Sequence, residues 1–273
     1  MRLDLRRAAL WTLCVFLAGT STGSFFCGVV VTSFESDKVV EPPLPVRTRK
    51  RRLRPDELKS PTPVIVMGLM KAGTTSIYGY FSCGLVEGTP ISHYDCKPGV
   101  DPSKIGMACG KRMRRNLTKY HKPAFDSMDH FVLYAELDAQ ELNGGMALPQ
   151  WDYLEQIYQH FPQATWILNW REPQKWLDSV DRWKDLRQRF VDNPFLPDSP
   201  KGTGAQDAEM LHFYKRQAER VREFAQTHPS LSLVELPMDS PEAGSILEQA
   251  FGISSTCWKN RNINTGDAIW TGN

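Results

Sequence analysis

Apolar residues along this chain fall into short runs separated by polar, Pro- and Gly-containing stretches, and the first run differs from the rest. Between residues 8 and 34 there is no Asp, Glu, Lys or Arg, while Arg2, Arg6 and Arg7 stand just before it. At roughly 1.5 Å per residue, a helix of that length crosses the roughly 30 Å hydrocarbon layer of a bilayer with some tilt. The basic flank stays cytoplasmic by the positive-inside rule, which makes 1–7 a cytoplasmic tail and 8–34 a transmembrane signal anchor, with the remainder lumenal. A cleaved signal peptide is the alternative, because 8–18 is a short apolar core followed by the small residues of 19–24. The return of apolar character at Phe25, Phe26, Val29, Val30 and Val31 favours the anchor.

Residues 35–61 are rich in Pro and charge and too poor in apolar side chains to build a core, so they read as a disordered stem before a globular domain at 62–273. In that domain, 63–68 is a short apolar run ending in Gly68, the pattern of a buried strand, and 75–82 then reads as the start of a helix. Trp151, Leu154, Ile157, Tyr158 and Phe161 have the spacing of an amphipathic helix over 151–161. A second buried strand is predicted at 164–170, and Pro173 opens a helix carrying Trp176, Leu177, Val180 and Trp183. A helix at 207–227, a strand at 231–236 and a helix at 245–251 capped by Gly252 complete the pattern. Strands alternating with helices predict an α/β fold with a central parallel sheet flanked by helices.

Charge adds little at the level of the whole chain. The 33 basic and 31 acidic residues leave a net charge of +2, which gives no general bias toward nucleic acid. The dense run Arg47-Thr48-Arg49-Lys50-Arg51-Arg52-Leu53-Arg54 reads as a solvated linker or, more sharply, as a dibasic processing site after Arg52. Of six cysteines, Cys14 and Cys27 lie in the apolar span. Cys83, Cys96, Cys109 and Cys257 remain for two lumenal disulfides; of the three connectivities, the short Cys96 to Cys109 interval is the first choice. Asn116-Leu117-Thr118 is a glycosylation sequon, to be used if that stretch is exposed. No His, Cys, Asp and Glu grouping has metal-ligand spacing, so no metal is expected.

The segment Gly68-Leu69-Met70-Lys71-Ala72-Gly73-Thr74-Thr75-Ser76 lies between the first strand and first helix, where backbone N–H groups and the positive helix end favour an anion. It departs from the Walker pattern. There a Lys directly follows the second Gly, whereas here Thr74 holds that place and Lys71 precedes Gly73. The second strand's apolar run also passes into Trp170 and Arg171 and not directly into the acidic residue that a Walker NTPase needs there for magnesium. In this form the segment resembles the 5′-phosphosulfate loop of the sulfotransferase superfamily. A second segment, Trp170-Arg171-Glu172-Pro173-Gln174-Lys175-Trp176-Leu177-Asp178-Ser179-Val180, resembles that family's 3′-phosphate site, with an Arg at a strand end and a Ser eight positions on.

The resemblance implies 3′-phosphoadenosine 5′-phosphosulfate (PAPS) as co-substrate and roles residue by residue. Lys71 would neutralise the bridging and sulfonate oxygens; Gly73, Thr74, Thr75 and Ser76 would hold the 5′-phosphate, and Arg171 and Ser179 the 3′-phosphate. The family's base is a His or Glu after the first helix. His93 is the first candidate, with Glu136, Glu87 and Asp138 as competitors. The resemblance runs in order over 64–251, weakly between 94 and 149, where the acceptor pocket is expected. Lys259, Arg261 and Gly266 resemble a terminal nucleotide-covering loop too loosely to assign contacts. With the anchor, the expectation is a Golgi-membrane enzyme whose acceptor is a hydroxyl or amine of a carbohydrate, a lipid or another small molecule, or a secreted form after stem cleavage. A nucleotide-binding P-loop module without turnover and a P-loop kinase are the competing functions.

Overall fold

A computed structural model describes residues 51–96, 107–140, 146–193 and 204–261. The strands in chain order are β1 Val64–Val66, β2 Ile91–Ser92, β3 Asp95–Cys96, β4 Met107–Ala108, β5 Leu133–Tyr134, β6 Ala139–Gln140, β7 Met146–Ala147, β8 Thr165–Trp170 and β9 Ser232–Pro237. The α-helices are α1 Thr74–Gly84, α2 Cys109–Thr118, α3 Pro149–Asp152, α4 Leu154–His160, α5 Pro173–Asp181, α6 Leu186–Val191, α7 Asp207–Thr227 and α8 Ala243–Phe251. Five strands make one parallel sheet in the order β2-β5-β1-β8-β9. Two short antiparallel pairs, β3 with β4 and β6 with β7, lie outside it.

The sheet is buried on both faces, as an α/β parallel sheet must be. Alternate residues of β1 and β8 go to opposite sides: Ile65, Trp166 and Leu168 pack with Ala218 and Val221 of α7, while Val64, Val66 and Ile167 pack with Ile77, Tyr80 and Phe81 of α1 and Leu247 and Phe251 of α8. All three residues of β1 are buried, so its β-branched side chains supply core to both layers.

The predicted sheet is present, with the helix at 207–227 and the strand at 164–170 close to their expected bounds. The helix expected over 151–161 is instead two, α3 and α4, because Tyr153 between them leaves helical geometry at φ −131° and ψ 35°. Trp183 lies just past α5 rather than on it. The four described cysteines form Cys83–Cys257 and Cys96–Cys109. The second clamps the β3–β4 pair.

Two expectations need correction. Residues 51–61, assigned to the stem, are folded onto the domain: Leu53 forms a parallel bridge with Leu85, Leu53 and Leu58 pack on the α1–α8 core layer, and the Ser60 hydroxyl donates to the Ala250 carbonyl at 2.7 Å. Leu53 and Leu58 provide the apolar anchors that the Pro- and charge-rich composition obscured. Asn116 is buried on α2, and its amide donates to the carbonyls of Ala124 and Asp126 at 3.1 Å each, so the sequon is not open to glycosylation in the folded domain. Among the described residues no helix is long and apolar enough to cross a membrane; the 8–34 span lies outside them, as do Cys14, Cys27 and Gly266.

Candidate active site

The first phosphate motif joins the end of β1 to α1. Two backbone positions in it take left-handed conformations, Lys71 at φ 65° and Gly73 at φ 91°. Gly73 also faces Met238, whose Cε would lie 2.2 Å from an added Cβ. The turn is tied from the neighbouring strand by Asn169: its Oδ1 accepts from the Gly68 N–H at 2.9 Å, and its Nδ2 donates to the Ala72 carbonyl at 2.8 Å. A Cβ on Gly68 would sit 2.1 Å from the Asn169 carbonyl oxygen, so this approach requires glycine. The Trp176 indole donates to the Met70 carbonyl at 2.9 Å, and the Gln217 amide to the Met67 carbonyl at 2.6 Å. Thus Asn169 of β8 fixes one amide and one carbonyl of the loop, Trp176 of α5 fixes a second carbonyl, and Gln217 of α7 fixes the carbonyl just before it, leaving the rim shaped before any anion arrives.

No side chain caps α1, so the positive end of that helix faces the loop. The Lys71 ammonium lies 3.8 Å from the centroid of the Trp183 ring. Burial lowers its pKa to about 8; the nearby Glu136 pulls it up, and Arg171 and Arg182 push it down. Ser76 serves a different contact as well: its Oγ accepts the Arg261 backbone N–H at 2.9 Å, bringing that end of the described chain onto α1.

His93 and Glu136, far apart in sequence, meet at this same rim. His93 follows β2 and Glu136 follows β5, and the register Ser92 opposite Tyr134 carries both chains out at the same end of the sheet. The His93 Nε2 is 3.1 Å from Glu136 Oε2, and the Thr74 hydroxyl donates to that same oxygen at 2.8 Å. Both Thr74 and Thr75 hydroxyls are 3.4 Å from Nε2. With side chains 27% and 17% exposed, His93 and Glu136 are reachable by an incoming molecule. Asp138 is deeply buried behind them: burial, then the Glu136 charge, push its pKa well above the usual carboxylate range, and Gln150 donates to it at 3.2 Å. Glu87 is not in this cluster. It lines a separate open recess of about 470 Å³ with Arg52, Ser82, Ile91 and Tyr78, whose ring centroid is 5.4 Å from that of His93.

The second motif joins β8 to α5. Arg171 lies at the strand end with Nη1 3.5 Å from the Lys71 carbonyl and Nη2 3.5 Å from Asp239, and its buried Nε has no hydrogen-bond partner among the described residues. Tyr214 accepts the Arg171 backbone N–H at 2.9 Å and stacks on Trp176 with centroids 4.3 Å apart. Burial pushes the Tyr214 hydroxyl up to about 12, keeping it protonated. Ser179 is buried on α5.

The two motifs, read separately in the sequence, therefore converge on one rim through the Arg171–Lys71 contact. Residues 63–195 match the family model described as a sulfotransferase domain. The match supports the sulfotransferase superfamily. It takes in both phosphate motifs, His93 and Glu136, and stops before α7 and β9. No curated protein matches the chain.

In the sequence Trp183 stood out only as an apolar helix residue, and Asn169, Tyr214 and Asp239 were not assigned to the site. Asn169 carried one signal: it is a polar residue in a buried strand, where an unpaired amide is costly, so a specific partner was to be expected. Asp239, which pairs with Arg171, accepts the Glu172 N–H at 3.1 Å and lies 3.9 Å from Lys175, follows β9 and gives no such signal along the chain.

Proposed function

We propose that the chain is a PAPS-dependent sulfotransferase acting on a hydroxyl or amine, with a lumenal domain anchored in the Golgi membrane through 8–34 and a glycan or lipid as acceptor. The observation that carries this reading is a lysine on a glycine-cradled loop, with an arginine from the adjacent strand on one side and a His–Glu pair on the other. The residues fit the nucleotide. The loop has uncapped helix polarity for one phosphate, and Arg171 has an orphaned buried Nε for another. Asn169, tied to the loop on both sides, stands in the region where a kinase would need a magnesium carboxylate.

The nucleotide supplies an activated sulfuryl group. Lys71 then offsets the charge on the transferred oxygens, the α1 end with Thr75 and Gly73 holds the 5′-phosphate, and Arg171 with Ser179 holds the 3′-phosphate. His93 would take the proton from the acceptor as its oxygen or nitrogen bonds to the sulfur, the sulfur–oxygen bond to the 5′-phosphate would break to leave adenosine 3′,5′-bisphosphate, and Glu136 would stabilise the imidazolium so formed. Glu136 is itself fixed by Thr74, which couples the base to the phosphate loop. The two disulfides suit an oxidising lumen. Incubation of the full chain with radiolabelled PAPS and a panel of lumenal glycans and lipids should label at least one acceptor. Tight nucleotide binding with no transfer to any acceptor would instead indicate a binding module. For topology, the domain should resist protease in sealed microsomes, and digestion without detergent would contradict the orientation.

A further inference from the structure

We propose that Trp183 is a positioning residue: its ring face holds the Lys71 ammonium at the phosphate loop without giving it an anion. Among the described residues the ammonium has no hydrogen-bond or carboxylate partner at contact distance, and it lies 3.8 Å from the ring centroid of Trp183. The choice of partner matters. A carboxylate paired to Lys71 would repel or compete with an incoming anion, whereas an aromatic face attracts the cation weakly and is readily exchanged for charge-assisted hydrogen bonds. The lysine backbone is equally constrained, by its left-handed φ of 65° and by Arg171 against its carbonyl.

Trp183 is itself held. Its N–H donates to the Val180 carbonyl at 3.0 Å, its carbonyl accepts from Leu186 at 2.9 Å, and its ring packs beside the cluster that includes Met70, Trp176 and Leu177. It lies four residues past Ser179, so one short segment carries both the neighbour of Lys71 and the serine read as a 3′-phosphate ligand. That segment links the two phosphate ends of the site. The charged groups acting on Lys71 are Glu136, which favours the ammonium, and Arg171 and Arg182, which oppose it. The ring adds a further attraction for the charged form.

This inference rests on the proposed function for its purpose, but its test needs no turnover. Full-length wild type, Trp183→Phe and Trp183→Met are labelled with an amine-acylating reagent across a pH series, and modification of Lys71 is followed by mass spectrometry. Wild-type reactivity should have its midpoint near pH 8. Methionine keeps apolar bulk but has no ring, and phenylalanine offers a weaker face than tryptophan, so the midpoints should order Met below Phe below Trp, with the Met variant lower by about half a unit or more. Midpoints in the variants at or above wild type would overturn the proposal, the ring then being only a cover against water. Should the Met variant fail to fold, the Phe variant decides alone: a lower midpoint supports the ring's attraction, an equal or higher one contradicts it. Absence of sulfate transfer would sink the functional reading while leaving this result standing.

Discussion

The two phosphate motifs share one architecture, a parallel strand turning into a helix, yet their helix ends are finished in opposite ways. At α1 the cap is Gly73, which offers no side chain to the helix amides. At α5 the Glu172 carboxylate accepts from the N–H groups of Gln174 and Lys175 at 3.0 and 2.9 Å, Pro173 has no N–H, and the Glu172 N–H goes to Asp239. The first motif is left to bind an anion with backbone and helix polarity; the second has closed that route and can do so only with side chains, chiefly Arg171. A strand-turn-helix unit is therefore not an anion site by shape alone. Whether a side chain already caps the first turn decides how it binds.

Substitutions should separate the two motifs, with the largest effect expected at His93, the proposed base beside the first. His93→Ala should lower turnover about a hundred- to ten-thousandfold while leaving nucleotide affinity and melting near wild type. Glu136→Gln should lose less, because it removes the stabiliser of the imidazolium and not the proton acceptor. A collapse confined to Glu136→Gln would transfer the base role to the carboxylate.

Lys71→Ala should cost about a hundred- to a thousandfold in turnover, with a smaller change in affinity, since its contact strengthens as charge develops on the transferred group. The pH dependence has a definite sign. With a pKa lowered to about 8, Lys71 in the free enzyme is an ammonium below that pH and loses its charge above it, so kcat/KM should fall as pH rises through about 8. Stability moves the other way. The unfolded chain holds this proton up to the ordinary lysine value of 10.5, so folded-state stability from Lys71 should increase between pH 8 and 10.5. Lys71→Met should remove that pH dependence, read by chemical denaturation at several pH values.

Arg171→Ala should weaken adenosine 3′,5′-bisphosphate binding about ten- to a hundredfold, the range for losing a charge-assisted contact, with a lesser effect on turnover at saturation. The smallest effect is the sharpest test of the contrast. Glu172→Ala removes the α5 cap and should lower the melting temperature modestly without weakening nucleotide binding, because those amides are not part of the proposed anion site. A marked loss of affinity in Glu172→Ala at full folding would show that the two helix ends work alike.

Much of this was legible along the chain. The apolar runs around β1, β8 and β9 and the amphipathic stretch of α7 stand out from their polar flanks, and the two motifs lie at the ends of β1 and β8. What was hidden has a common physical cause. The strands β2 and β5 are two residues each, too short for any periodicity, yet their parallel pairing is what brings His93 to Glu136. Asn169 and Asp239 act through partners that are distant in sequence, so only the sheet order makes them neighbours of Gly68 and Arg171. Leu53 and Leu58 show the reverse difficulty: two apolar side chains in a charged stretch suffice to dock it once a helix and strand offer a groove.

In the proposed function the two motifs form one site for a nucleotide carrying separate 5′- and 3′-phosphates. Titration calorimetry of adenosine 3′,5′-bisphosphate against ATP, both without magnesium, tests it directly. The account predicts clear binding of the bisphosphate and at least about tenfold weaker binding of ATP, because ATP has no 3′-phosphate for Arg171. Equal affinities, or binding of either nucleotide only when magnesium is added, would contradict it.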